Sequence, residues 1–305
     1  MIEVNNLVFE YPGHRAIDDV SFSIERDSVT ALVGPNGAGK TTLMRCLCGL
    51  DRPLSGGIVV DGIDVIEHPR RSHERIGYLS DFFGLYDELQ VGHCLRYAAE
   101  ANGMTEKIDA AVTQTAERLR LTDRLTQRVG ELSRGLRQRV AIGQAMIHSP
   151  RVLVLDEPAS GLDPEARHDL AELFKILKAS GMTLLVSSHI LAELEAYATE
   201  MLVIRDGRII EQRQLGTRTA SRRNILIELI AHDEAVSEML RARSEIQSVD
   251  MEGERITCEI SGGDKAQHRL LKELIALDVA VVNFSTVEPD LQRSYLDSIK
   301  GQKNA

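Results

Sequence analysis

The chain has 305 residues, with 36 Lys and Arg against 46 Asp and Glu, a net charge of −10, and 43% hydrophobic but only 4% aromatic residues. That length supplies core for about two domains, and the composition is that of a soluble globular protein. The acidic balance argues against a nucleic-acid surface, which needs a basic face; no apolar run approaches the roughly 18–20 residues that span a bilayer, and Met1-Ile2-Glu3-Val4-Asn5 does not read as a signal peptide.

Residues 2–10 read as a strand, followed by a Tyr11-Pro12-Gly13 turn. Ala16 to Ile24 is a second strand pattern, with Val20, Phe22 and Ile24 alternating against Asp19, Ser21 and Ser23. The apolar run Val29 to Val33 reads as a buried strand. It leads into Gly34-Pro35-Asn36-Gly37-Ala38-Gly39-Lys40-Thr41-Thr42, and then into Leu43, Met44, Leu47 and Leu50 at helical spacing. Strand, glycine-rich turn and helix start is the setting in which the G-x-x-x-x-G-K-[ST] pattern binds a triphosphate. Glycines let successive N–H groups point at one anion, and the helix start near Gly39 adds its positive dipole end. Asn36, Gly37, Gly39, Lys40, Thr41 and Thr42 are therefore the candidate nucleotide contacts. Lys40 can reach the β- and γ-phosphates, and Thr41 can offer its hydroxyl to Mg²⁺.

Ser55-Gly56-Gly57 precedes a short strand, Ile58 to Val60, and an Asp61-Gly62 turn. Ile76 to Leu79 is another short strand. Tyr78, Phe82, Phe83, Tyr86 and Tyr97 then crowd together, with Leu85, Leu89 and Val91 adding to the apolar load. Such crowding suits either a helical core or a partner-docking surface. Helices are expected over Gly92–Ala101 and Glu106–Arg120, the second with Ile108, Val112, Ala116 and Leu119 on one face. Leu132-Ser133-Arg134-Gly135 leads into a helix through His148, stopped by Pro150. Arg151 to Leu155 is an apolar strand of the kind buried on both faces. Asp163-Pro164 starts the next helix, and Met182 to Val186 is a strand ending at Ser187-Ser188-His189. Two strands, Met201–Arg205 and Arg208–Gln212, are joined by Asp206-Gly207, a strong hairpin signal.

Residues 1–214 form a first domain in this reading, and 215–223 a linker. Beyond it, residues 224–305 read strand, helix, strand, strand, helix, strand, with Glu252-Gly253 turning between the central strands; that order is the ferredoxin-like α+β pattern. A last helix is expected from Pro289, with Leu291, Tyr295, Leu296 and Ile299 on its apolar side. Cys46, Cys48, Cys94 and Cys258 form no C-x-x-C pair and suit packing in a reducing compartment. The clusters Arg70, Arg71, Arg75 and Arg218, Arg222, Arg223 read as solvated surface.

Val152 to Leu155 delivers Asp156 and Glu157 at a strand's C-terminal end, where ligand chemistry sits in parallel α/β sheets. Asp156 can hold the Mg²⁺ hydration shell, and Glu157 can polarise a water for in-line attack on the γ-phosphorus. His189, ending the next apolar strand, can donate to the γ-phosphate.

Taken together, these segments resemble the ATP-binding subunit of an ABC transporter. Gly34–Thr42 matches the family's first nucleotide motif and Val152–Glu157 its second. Leu132-Ser133-Arg134-Gly135-Leu136-Arg137-Gln138 resembles its signature motif, Ser160-Gly161-Leu162-Asp163 its D-loop, and His189 its switch histidine. Tyr11 falls where the family stacks an aromatic on adenine. The resemblance covers residues 2–213. It implies an α/β phosphate-loop ATPase domain with a mixed sheet and a helical subdomain, with ATP and Mg²⁺ as cofactors. Two positions depart from the pattern. Arg134 replaces a glycine of the signature, and Asp81 replaces the glutamine that touches Mg²⁺ and the attacking water. Asp81 can accept from a metal-bound water but cannot donate as an amide does.

The resemblance also implies a head-to-tail dimer, in which Ser133 and Gly135 of one copy close over ATP held by the other. A separately encoded integral membrane permease is expected to dock near Asp81–Leu89. The chain is then cytoplasmic and peripheral on the inner face of the membrane. The C-terminal unit resembles the small dimer-stabilising or regulatory domains of the ABC-2 branch, dominated by exporters. The competing readings are soluble: an ABC ATPase acting on ribosomes or DNA, or a regulatory ATP binder without useful turnover. Against the first, no long coiled coil of the DNA-repair type is present, and no second nucleotide domain of the ribosomal type; against the second stand the intact Lys40, Asp156, Glu157 and His189.

Overall fold

The computed structural model describes residues 1–188, 194, 196–215 and 222–287, and the chain divides into two compact units, Met1–Gly216 and Thr217–Ala305. The first unit runs β1 (Ile2–Tyr11), β2 (His14–Ile24), β3 (Val29–Val33), α1 (Lys40–Leu47), β4 (Ser55–Val60), β5 (Ile63–Asp64), α2 (Pro69–His73) and β6 (Ile76–Leu79). It continues with α3 (Val91–Ala101), α4 (Ile108–Arg118), α5 (Arg134–Met146), β7 (Val152–Leu155), α6 (Pro164–Ala179), β8 (Thr183–Ser188), β9 (Glu200–Arg205) and β10 (Arg208–Gln214).

One sheet has the order β2-β1-β4-β5 and is antiparallel throughout. The other has the order β10-β9-β3-β8-β7-β6, parallel except for the β9–β10 hairpin, and is the expected mixed sheet. Every residue of β3, β7 and β8 is buried, as continuous apolar strands covered on both faces should be. In β2, Val20, Phe22 and Ile24 turn inward in alternation. Between the two sheets, α1 buries Leu43, Met44, Cys46 and Leu47 in one core with Ile17, Val20 and Ile58 on one side and Leu32, Val154, Leu185 and Ile204 on the other. That burial, rather than the propensity of an eight-residue helix, is what holds α1. The loop preceding it is fixed accordingly.

A helical part is built from α3, α4 and α5, which pack on one another. Val91, Cys94 and Leu95 of α3 are buried there, as are Val112 and Ala116 of the predicted α4 face and Leu119 just past its end. All four cysteines are free and buried, and burial pushes each thiol up, which suits packing rather than reaction.

Several boundaries differ from those expected. Leu50 is not on the α1 face: the helix stops at Leu47, Gly49 turns the chain at φ +65°, and Leu50 is 46% exposed. The strand expected at Ile58 begins at Ser55, because β1 pairs with it from Ser55 onward. Its Asp61-Gly62 turn opens a hairpin to β5, and both this turn and Asp206-Gly207 place two successive residues at positive φ, the type I′ requirement. Neither β5 nor the short α2 has enough residues for a periodicity to be visible. The helix expected through His148 ends at Met146, with Ser149 already at φ +55°.

The second unit runs β11 (Arg222–Leu229), α7 (Glu234–Arg241), β12 (Ile246–Glu252), β13 (Arg255–Ser261), α8 (Gly263–Ala276) and β14 (Val281–Val287). Its sheet has the order β12-β13-β11-β14, with every pairing antiparallel. Ile225 and Ile227 of β11 and Ile256, Cys258 and Ile260 of β13 form one core with Val236 and Leu240 of α7 and Leu270 and Leu274 of α8. The expected linker is cut short at Arg222, where β11 begins and pairs with Ser261. The helix expected from Pro289 lies outside the described residues.

Candidate active site

The segment Gly34–Thr42 links β3 to α1 as the spacing predicts. Gly39 is the N-cap of α1 at φ 105°, a left-handed conformation that favours glycine. A Cβ on it would sit 2.7 Å from the Ala16 carbonyl oxygen, so the backbone also runs too close to β2 for a side chain. The loop is pinned by a donor from a distant hairpin: the Gly207 N–H donates to the Ala38 carbonyl at 3.0 Å, and the Gly207 carbonyl accepts from Asp18 at 2.9 Å. Lys40 is buried. Its Nζ donates to the carbonyls of Gly34 at 2.8 Å and Pro35 at 3.3 Å, and lies 3.6 Å from Glu157 Oε1. Asn36 and Gly37 lie on the exposed crest of the loop.

The parallel sheet brings the two carboxylates to this loop. Thr41 Oγ1 donates to Asp156 Oδ2 at 2.6 Å, joining the first turn of α1 to the end of β7. On the other side, Ser187 Oγ donates to Asp156 Oδ1 at 2.5 Å and accepts the Glu157 N–H at 2.8 Å. Glu157 stands at φ 47°, a conformation that costs a non-glycine residue energy and is characteristic of functional sites. Ser187 therefore orients one carboxylate and braces the strained backbone of the other. In the sequence Ser187 is marked only as following the apolar strand Met182 to Val186; a small hydroxyl residue closing one apolar strand, with another ending in Asp-Glu, is the available signal.

Burial pushes the Asp156 carboxyl up. Hydroxyl donation from Ser187 and Thr41 pulls it down, and the neighbouring negative charges of Asp81 and Glu157 push it up again. A buried carboxylate among like charges is a place for a cation. No group of three or more His, Cys, Asp or Glu among the described residues could hold a metal on its own. A hydroxyl with one or two carboxylates fits Mg²⁺, which takes its other ligands from phosphates and water. Ser187→Ala is expected to remove a donor from the buried Asp156 carboxylate and an acceptor from the Glu157 N–H, and to cost about 1–3 kcal/mol of stability, with Ser187→Thr restoring most of it; an unchanged chemical-denaturation midpoint in the alanine variant would refute the brace.

Asp81 is exposed just past β6, and its Oδ1 accepts the Phe82 N–H at 2.8 Å. It is close enough to act on Asp156 electrostatically, but its carboxylate is engaged with its own turn. Tyr11 ends β1, is 43% exposed, and its hydroxyl lies 3.5 Å from Thr42 Oγ1. Its ring packs edge-on against Phe9 with centroids 4.9 Å apart, leaving it at the rim of the loop. His189 lies outside the described residues.

Ser133 and Gly135 are not part of this cluster. Ser133 caps α5, its Oγ accepting the Leu136 N–H at 3.4 Å. Together with Leu136, Asp163 and Ala166 these residues line a separate cavity to which no phosphate-loop residue contributes. Of the aromatic group, Tyr78 packs against the core around α1, whereas Phe82 is 86% and Tyr86 63% exposed. The core alternative therefore fails for those two residues.

Residues 17–160 match the family model described as ABC transporter. The ABC transporter ATP-binding protein NatA of Bacillus subtilis (strain 168) is 36% identical over 212 residues, which are 69% of this chain and 86% of that protein. The Nod factor export ATP-binding protein I of Burkholderia orbicola (strain AU 1054) is 35% identical over 212 residues, 69% of this chain and 70% of that protein. Among solved structures, an ATP binding subunit of an ABC transporter aligns with a TM-score of 0.62 at 33% identity, covering 70% of this chain and 90% of that one.

Proposed function

The chain belongs to the ATP-binding subunits of ABC transporters and is an ATPase, and from that premise we propose that it powers a separately encoded membrane permease in the direction of export. One observation carries the proposal. Lys40, Thr41, Asp156 and Glu157 meet at one sheet edge, while Ser133 and Gly135 face another cavity. A site built this way has its phosphate cradle and water-activating carboxylate in one copy, and takes its lid from a second.

In this reading the N–H groups of Asn36, Gly37 and Gly39 hold the ATP phosphates together with Lys40 and Thr42, and Tyr11 stacks on the adenine. Thr41, Asp156 and Asp81 would hold Mg²⁺, which when bound neutralises charge on the β- and γ-phosphate oxygens. Glu157 accepts a proton from the attacking water, and His189 donates to the γ-phosphate. The helix start carrying Ser133 and Gly135 of the second copy closes over the γ-phosphate. Hydrolysis removes that bridging charge and the pair opens. The second unit, with its β-α-β-β-α-β order, is ferredoxin-like and serves as a dimer-stabilising or regulatory module.

No helix among the described residues is long and apolar enough to cross a membrane, so the membrane work is assigned to a partner, with this chain on the cytoplasmic face. The likeness to a Nod factor export protein supports the export direction. The docking surface is Asp81–Leu89, where Phe82 and Tyr86 stand exposed and Tyr86 meets Tyr97 edge-on with centroids 6.5 Å apart. The interface residues whose truncation costs more than about 1 kcal/mol are a minority in which aromatics, Tyr among them, are enriched. A Phe82→Ser, Tyr86→Ser double variant is thus expected to weaken association about tenfold or more and to leave ATP hydrolysis by the isolated chain unchanged. Co-purification of a membrane protein with this chain from detergent-solubilised membranes reads the result. Undiminished recovery of the membrane protein would sink the docking assignment.

A further inference from the structure

Arg134 opens α5 where the family signature has glycine. A cation in the first turn faces the positive end of the helix dipole, so its position needs compensation from elsewhere. The compensation comes from the segment that follows Glu157. Arg134 Nη2 donates to the Ser160 carbonyl at 3.1 Å, and the guanidinium covers Gly161. A Cβ built on Gly161 would lie 2.3 Å from Nη2, 2.4 Å from Cζ and 2.6 Å from Nη1, and the residue is at φ +69°. The backbone conformation therefore favours glycine beneath this arginine, and a side chain there would have to displace the guanidinium.

The contact continues inward. The Ser160 N–H donates to the Glu157 carbonyl at 3.0 Å, so one residue, Ser160, stands between Arg134 and the backbone of Glu157. Alongside, a Cβ on Gly135 would lie 3.1 Å from Ala166 Cβ, and Asp163 caps α6 by accepting the Ala166 N–H at 2.8 Å. The start of α5 and the segment 157–166 thus form one packed body.

We propose that Arg134 is a positioning residue that couples the two nucleotide sites of a dimer of this chain. It ties the α5 N-terminus, which closes on the nucleotide of the partner copy, to the loop carrying the Glu157 of its own copy. The proposal rests on the dimeric reading above. Closure over one nucleotide is transmitted through Ser160 to the carboxylate facing the other, so filling one site favours hydrolysis at the second.

The test is the ATP dependence of hydrolysis by the full chain. The wild type is expected to show a Hill coefficient of about 1.5–2, the ceiling being the number of sites. Arg134→Ala is expected to bring it to about 1 while half-saturating ATP moves less than about threefold. Gly161→Ala should do the same, because it displaces the guanidinium and leaves the charge in place. Arg134 is an exposed side chain, so loss of the fold does not enter the reading of its removal. Cooperativity unchanged in both variants overturns the coupling. So does an Arg134→Ala variant whose half-saturation rises about tenfold with cooperativity intact, which would make the arginine a direct contact to nucleotide. Size-exclusion chromatography of Glu157→Gln with ATP separates the premises. A monomer there overturns the dimer and the coupling together, whereas a dimer with unaltered cooperativity in Arg134→Ala overturns the coupling alone.

Discussion

Glu157→Gln is expected to keep ATP binding and to lose about 10²–10⁴ in turnover, the range for a missing general base. The carboxylate sits at the end of β7, 3.6 Å from the Lys40 ammonium at one oxygen, with its backbone N–H held by Ser187 at 2.8 Å. The amide is nearly isosteric and can occupy the same place, so binding contacts and fold survive. What it loses is basicity: it cannot take a proton from water as it attacks. The variant should therefore accumulate nucleotide-bound protein, and single-turnover hydrolysis with a fluorescent-nucleotide binding assay separates the two effects. Turnover within a few-fold of wild type would remove Glu157 from the role.

Lys40→Ala is the second large effect. The Lys40 side chain is 7% exposed, with its ammonium on the carbonyls of Gly34 and Pro35 and near the Glu157 carboxylate. Each hydrogen bond to a charged group is worth about 1.5–3 kcal/mol. Loss of one phosphate contact of that size corresponds to ATP binding weaker by about 10–150-fold. Lys40→Arg is expected to recover little, because a planar guanidinium needs more room than this enclosed position gives and presents its donors differently. Titration calorimetry in the Glu157→Gln background reads the affinity without interference from hydrolysis. Affinity within twofold of that background would undo the phosphate-loop assignment.

Much of the fold was legible along the chain because the relevant signals are short. The apolar runs at Val29–Val33 and Val152–Leu155 become fully buried parallel strands, and the alternation from Val20 to Ile24 becomes a one-sided strand. Each signal lies within a few residues, and burial on one or two faces leaves a direct trace in residue type. Where the elements are too small to carry a period, as in β5 and α2, nothing marked them. The aromatics from Phe82 to Tyr86 had two readings because composition does not tell a buried ring from an exposed one. Only their exposure decides between them.

By itself the sequence determined the chemical parts: a glycine-rich loop with Lys40 and Thr41, a strand delivering Asp156 and Glu157, and a helix start at Ser133 and Gly135. Those motifs depend on residue type and local spacing, which are written in order along the chain. The tertiary structure alone decided which donor meets which acceptor. Ser187 reaches Asp156 across 31 positions because β8 lies beside β7. Gly207 holds the Ala38 carbonyl because the β9–β10 hairpin returns to the phosphate loop. Arg134, a departure from a motif when read in line, lies over Gly161 through the packing of α5 on α6. Hydrogen bonds between residues far apart in the chain depend on strand order and helix packing, which local spacing does not specify.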